Sequence, residues 1–220
     1  MSSPLFHLKY NVLMPLADTW QIMKVVLRFP HLEPVVKAYQ KLYPYAGATT
    51  SVSVDERADK GIDDDTLTYG ETRWTTFMEV LDALNIQPQD RFIDLGCGAG
   101  FLCLLASQGY RIPATGVDLI EGFVTRANGL VSQFELKNID YRQQDFFNMD
   151  LSAYSVFYAT CTCFPEDYLR RLSAKFRQAP SGSRIATVTY GLDSPWLKQI
   201  KVLKCKYSWG MDSVYICERI

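Results

Sequence analysis

Histidine is scarce in this chain, with two residues in 220, and no two of its six cysteines stand at a C-x-x-C spacing. Zinc sites need thiolates or imidazoles clustered at short separations, so no metal site is assigned. Cys161–Thr162–Cys163 reads as small residues at a strand end, and no histidine lies near it to activate a nucleophile. An excess of charge is missing too. Lys+Arg (23) and Asp+Glu (24) leave a formal net charge of −1. Proteins held mainly by phosphates carry a basic surplus, so strong nucleic-acid binding is not expected. Lys198, Lys201, Lys204 and Lys206 cluster locally, as the solvated face of a strand or loop. Long apolar runs are also absent, and none approaches the ~20 residues that span a bilayer. No basic stretch leads into an apolar core near the N-terminus, as a signal peptide would require. The expectation is a soluble, intracellular protein with reduced thiols and no membrane partner. Cytoplasm, nucleus and delivery into a host cell stay open.

What is present is a 48% hydrophobic chain, enough for one filled core with a small appended segment. Leu16, Trp20, Met23 and Leu27 recur at helical spacing before Pro30, and Leu32, Val35, Val36, Tyr39, Leu42 and Tyr43 do so before Pro44. Between Ala46 and Thr66 the chain turns small, polar and acidic, with Asp63–Asp65 in a run, which reads as a lid or linker loop. Residues 1–66 are therefore taken as a helical N-terminal segment and 67–220 as the main domain. In that domain Trp74, Phe77, Met78, Leu81 and Leu84 mark a helix. Apolar strands are expected at Arg91–Leu95, Ala114–Val117, Ile139–Arg142, Ser155–Ala159, Arg184–Tyr190 and Val214–Cys217. Helices fall between most of them, at Phe101–Ser107, over Phe123–Phe134 and after Pro165. Alternation at this spacing implies an α/β fold with a doubly wound, mostly parallel sheet. The last strand follows no long crossover, which suits an antiparallel strand at one edge.

Asp94–Gly100 (DLGCGAG) closes the first strand and opens a helix, and the next strand ends on Asp118. Ligands of doubly wound sheets lie at this end of the strands. The glycines permit positive φ and close approach, and a carboxylate about 20 residues on can accept both hydroxyls of a ribose. A dinucleotide fold prefers G-x-G-x-x-G with pyrophosphate on the helix N-terminus. Here the spacing is G-x-G-x-G, and Asp94 would repel a pyrophosphate while suiting the cationic amino-acid end of S-adenosylmethionine. The methyl donor is the favoured ligand, with S-adenosylhomocysteine as product; a dinucleotide or a non-binding turn are the alternatives. Asp145 and Phe146 follow the third strand, placed to meet an adenine amino group and ring, or else to be a loop acid beside a core aromatic.

Tyr69–Gly70–Glu71 before an amphipathic helix, FIDLGCGAG, GVD, QDFF, SVFYATCTCFPEDYLRRL and the closing YSWGMDSVYI together resemble the non-SET histone lysine methyltransferases, the disruptor of telomeric silencing family. The resemblance runs from about Leu67 to Ile220. It implies the seven-stranded class I methyltransferase sheet, and a protein substrate presenting a lysine, such as a histone. It also implies that Tyr69, Gly70, Glu71 and Thr72 close over the methionine end, and that Asp94, Gly96, Gly98 and Phe101 contact the cofactor. Asp118 would take the ribose, and Asp145 and Phe146 the adenine. Tyr158, Phe164 and Tyr215 would line the acceptor channel, the last standing for the family's C-terminal aromatic in the segment that begins around Trp209. The family carries Asn near the end of the fourth strand, where this chain has Thr160. The lysine-rich DNA-binding extension of nucleosome-acting members has no counterpart here. A methyltransferase for RNA or a small molecule, or a non-catalytic cofactor-binding module, remain as alternatives. ATCTCFP departs from the Asn/Asp-Pro-Pro-aromatic pattern of many base-methylating enzymes.

Overall fold

A computed structural model of the chain describes residues 14–45, 47–61 and 64–220. Seven strands form one sheet in the order β3-β2-β1-β4-β5-β7-β6. They are β1 (Phe92–Leu95), β2 (Ala114–Asp118), β3 (Ile139–Gln143), β4 (Val156–Thr160), β5 (Arg184–Val188), β6 (Leu197–Tyr207) and β7 (Gly210–Arg219). The first five are parallel, and β7 runs antiparallel to both β5 and β6. All four residues of β1 are buried, as a central parallel strand covered on both faces requires. The order reverses between β1 and β4, which opens a crevice above their carboxyl ends. The antiparallel strand thus lies one place in from the edge.

β6 itself went unread in the sequence. Its lysines fall among exposed positions and only Leu197, Cys205 and Tyr207 are buried, so no clean alternation announces it. A two-residue turn, Ser208–Trp209, joins it to β7, with Tyr207 paired to Gly210.

Helices α1 (Met14–Arg28), α2 (Glu33–Leu42) and α3 (Ala48–Asp59) precede the sheet, and α4 (Trp74–Ala83) leads into it. α5 (Phe101–Leu104) passes into a π-helical turn, Leu105–Gly109. α6 (Glu121–Gln133) and α7 (Glu166–Lys175) complete the set. The first two helices are not a separate unit. Val25, Val36 and Tyr39 join Trp74, Phe77, Phe101 and Tyr158 in one core on one face of the sheet. Trp74 and Phe101 stack with centroids 3.6 Å apart, and Tyr39 meets Phe101 edge-on. The other face is covered by α7 and by Met149, Leu151, Tyr154 and Leu192.

The expected lid loop at 46–66 is a correction, because most of it is α3. Its sequence, ATTSVSVDERAD, is rich in β-branched and hydroxyl residues that form helices poorly, and it has no 3.6-residue apolar stripe. Tertiary contacts supply what propensity lacks. The Glu56 carboxylate accepts from the backbone N–H groups of Glu121 and Gly122, where α6 presents unsatisfied donors. Lys60 bridges Glu56 and Glu121. Asp63 lies outside the described residues. Asp64 is engaged locally, its Oδ1 accepting from the Thr66 backbone and hydroxyl. No helix among the described residues is long and apolar enough to cross a membrane.

Candidate active site

The crevice above β1 and β4 is a cleft of about 370 Å³. Asp94 emerges from β1 into its floor, 2% exposed, and its Oδ2 meets no hydrogen-bond partner. Burial, reinforced by the Asp118 charge, pushes the Asp94 carboxyl well above the usual carboxylate range. Asp118 ends β2 and organises the glycine loop. One oxygen accepts from Gly98 N at 2.7 Å and the other from Ile120 N at 2.9 Å. Burial raises its pKa as well, against the pull of those backbone donors.

The loop has its shape because Gly98 adopts φ +49° and lies under the Tyr69 ring. A Cβ there would sit 2.5 Å from that ring. Tyr69 in turn packs on Phe123 of α6, centroids 5.0 Å apart. Opposite, Asp145 caps a short 3-10 turn, its Oδ1 accepting from Phe147 N. That turn sets Phe146 and Phe147 side by side at the cleft wall.

Tyr69, Gly70, Glu71, Thr72, Asp94, Gly96, Gly98, Phe101, Asp118, Asp145 and Phe146 all line this one cleft, together with Thr160 and Phe164. Two residues expected in an acceptor channel do not. Tyr158 is fully buried. It lies two residues inside β4, beneath α4, edge-on to Phe77, and its hydroxyl pairs with Thr72 Oγ1 at 2.9 Å and Tyr207 Oη at 3.4 Å. Its contribution to the cleft is to anchor Thr72 from behind. Tyr215 stands within β7, paired with Thr187 and Val202, and packs over Gly191.

The C-terminal aromatic that does reach the cleft is Trp209, at the hairpin tip. It stacks on Tyr207 at 4.6 Å and lies so close to Gly70 that a Cβ there would be 2.9 Å from the indole. Tyr39, Thr162 and Tyr168 also line the cleft without having been singled out. Thr162 was legible in principle, two positions on from Thr160. Tyr39 arrives from the N-terminal helices and carries no local signal, whereas Trp209 lies in the YSWGMDSVYI segment that the family resemblance had pointed to.

The lining contains the carboxylates Glu71, Asp94, Asp118 and Asp145 and, among the described residues, no Lys, Arg or His. Among those residues a pyrophosphate would meet four carboxylates and no cationic side chain. A ligand with a cationic amino-acid end, a ribose and an adenine fits, because an ammonium would partner the orphaned Asp94 Oδ2 and reverse its desolvation penalty.

Comparison with known proteins agrees with this geometry. Residues 86–194, just under half of the chain, match the family described as "Methyltransferase domain". The chain carries a class I S-adenosylmethionine-dependent methyltransferase domain. A stretch of 69 residues is 39% identical to an H3 lysine-79-specific histone-lysine N-methyltransferase of Caenorhabditis elegans; it covers 31% of this chain and 7% of that enzyme. Similar solved structures include an RNA methyltransferase from Salinibacter ruber in complex with S-adenosyl-L-homocysteine (TM-score 0.58, 19% identity, 68% of this chain and 93% of that one). Another is magnesium protoporphyrin IX methyltransferase from Synechocystis PCC 6803 with bound S-adenosylmethionine (TM-score 0.56, 15% identity, 66% and 79%). At these identities the likeness speaks for the fold.

Proposed function

We propose that this chain transfers the methyl group of S-adenosylmethionine to a lysine amine of a protein. When bound, that cofactor supplies a methyl group already activated on a sulfonium. The protein's own task is then alignment and exclusion of water, worth up to about 7–11 kcal/mol in favourable cases. Asp94 would take the ammonium, Asp118 the ribose hydroxyls through the lone pairs its backbone donors leave, and Asp145 and Phe146 the adenine.

The observation that carries the lysine reading is the wall of the cleft. Phe164 and Tyr168 stand with ring centroids 5.6 Å apart, and Trp209 lines the same cleft, which among the described residues has no basic side chain. Such a wall suits a long aliphatic side chain ending in an amine and offers nothing to a nucleic-acid phosphate. A lysine has a reference pKa of about 10.4 and must lose its proton before attack. Aromatic rings that strip water from the ammonium lower that pKa, so its proton passes to solvent water before the neutral nitrogen attacks, and no dedicated base is required. The partial likeness to the histone-lysine enzyme supports the same reading.

Incubating the protein with tritiated S-adenosylmethionine and a cell lysate tests it. The expected label is lost to protease, survives nuclease, and co-migrates with methyl-lysine after acid hydrolysis. Label lost to nuclease instead, or found in the small-molecule fraction, points to an RNA or metabolite acceptor. Binding without any label would indicate a non-catalytic module.

A further inference from the structure

A hydrogen-bond chain at the cleft mouth has a fixed direction. Asp212, in β7, can only accept when ionised. Its Oδ2 accepts from Thr189 Oγ1 at 2.7 Å and from Trp209 Nε1 at 2.9 Å, and its Oδ1 from Ser213 N at 2.7 Å. Burial pulls its pKa upward, but these donors outweigh it and hold the carboxyl below its ordinary value. A threonine hydroxyl has one proton. Thr189 gives its proton to Asp212, so in the 2.9 Å contact between the hydroxyls of Thr162 and Thr189, Thr162 is the donor. Thr162 lines the cleft, and its hydroxyl has only a lone pair left to offer there.

The relay residue is itself strained. Thr189 has φ +72°, a left-handed conformation that is costly for a β-branched side chain. It is held there by its hydroxyl contacts and by its backbone N–H, which donates to Ser213 O at 2.9 Å. Strain of this kind persists where the surroundings over-determine it, and here it serves to connect a cleft hydroxyl to a carboxylate.

We propose that Thr162 recognises an N–H of the methyl acceptor, and that Asp212, acting through Thr189, is the positioning residue that makes its hydroxyl an obligate hydrogen-bond acceptor. The same carboxylate holds the Trp209 indole, so one group sets both the wall and the polarity of the mouth. This inference deepens the amine-acceptor reading and rests on it, but its test requires no protein substrate.

Protein loaded with S-adenosylhomocysteine is titrated with n-butylamine and with methyl propyl ether, which has similar length and no N–H, and followed by ligand-observed NMR. The parent should prefer the amine by about tenfold, the worth of one hydrogen bond to a charged donor. Thr162→Val should erase most of that preference, and Thr162→Ser should keep it. Asp212→Ala, which leaves Thr189 no carboxylate to donate to, should erase it in the parent yet change nothing further in the Thr162→Val background, which a merely structural role would not produce. Thr189→Gly tolerates the positive φ while deleting the relay, so it should fold and lose the preference. Affinity for S-adenosylhomocysteine should stay within a few-fold throughout. Equal binding of the two probes by the parent, or a full amine preference in Thr162→Val, overturns the proposal. Failure of the lysine reading would show separately, as a lysate in which no protein is labelled.

Discussion

The two halves of the cleft are built on opposite principles. The donor half, around Asp94, Gly98 and Asp118, comes from 25 consecutive residues, Asp94–Asp118, spanning one strand–loop–helix–strand unit. It is acidic, buried and deliberately incomplete, with one carboxylate oxygen lacking any partner. The mouth, around Thr162, Thr189, Trp209 and Asp212, is gathered from the ends of β4 and β5 and from the C-terminal hairpin. It is half-exposed, and the polar groups of its relay are paired with each other. A binding site for a cation keeps an acceptor unpaired until the ligand arrives. A mouth that selects a group by its N–H must keep its own hydrogen bonds in order beforehand.

The largest effect should come from breaking the donor half. Asp94→Asn removes the unpaired carboxylate, and its loss should cost cofactor binding about 2–5 kcal/mol, measured by calorimetric titration. The same change should raise the melting temperature of the cofactor-free protein at neutral pH. The folded pKa of Asp94 is raised, so its contribution to stability is intact below the ordinary carboxylate range and is lost as pH rises through the shifted value. Denaturation followed across that window should show a falling slope in the parent and a shallower one in Asp94→Asn. Cofactor affinity should climb with pH over the same window, since the ammonium pairs with the ionised form.

Next in size is Gly98→Ala. A methyl group 2.5 Å from the Tyr69 ring, on a residue at φ +49°, must displace either the loop or the YGE segment. An affinity loss of about 1–3 kcal/mol is expected, with the far-UV circular dichroism unchanged.

These two changes fall where sequence was most informative. A glycine-rich turn and a following acid act locally, so their spacing in the chain is their spacing in space. The strands β1 to β5 were legible for the same reason, each being a short apolar run bounded by turns. What escaped was long-range. Tyr158 had the right type and strand for a channel, but α4 covers that face, and only the final strand position, Thr160, opens into the cleft. Trp209 replaces Tyr215 because a two-residue turn, rather than the strand after it, reaches back to Gly70. α3 exists because Glu56 caps α6, a contact 65 residues away that no window reveals.

Smaller effects should follow from these concealed supports. Tyr158→Phe deletes the hydroxyl behind Thr72, and should lower turnover several-fold while costing about 1 kcal/mol of stability. Glu56→Gln weakens two backbone contacts and the Lys60 pair, and should cost about 1–2 kcal/mol in urea denaturation. Burial raises the Glu56 pKa, but Lys60 and the backbone donors outweigh it and the net shift is downward. Its stabilisation is therefore present above the ordinary glutamate range and lost as pH falls through the lowered value.

The central claim is that an unpaired carboxylate in an acidic cleft receives the cationic end of S-adenosylmethionine. Isothermal titration of the cofactor into parent and Asp94→Asn protein, matched for folding by circular dichroism, tests it most directly. The account predicts one site per chain in the parent and a loss of at least about thirtyfold in the variant, the lower end of that 2–5 kcal/mol range. Equal affinities, or no binding by the parent, would contradict it.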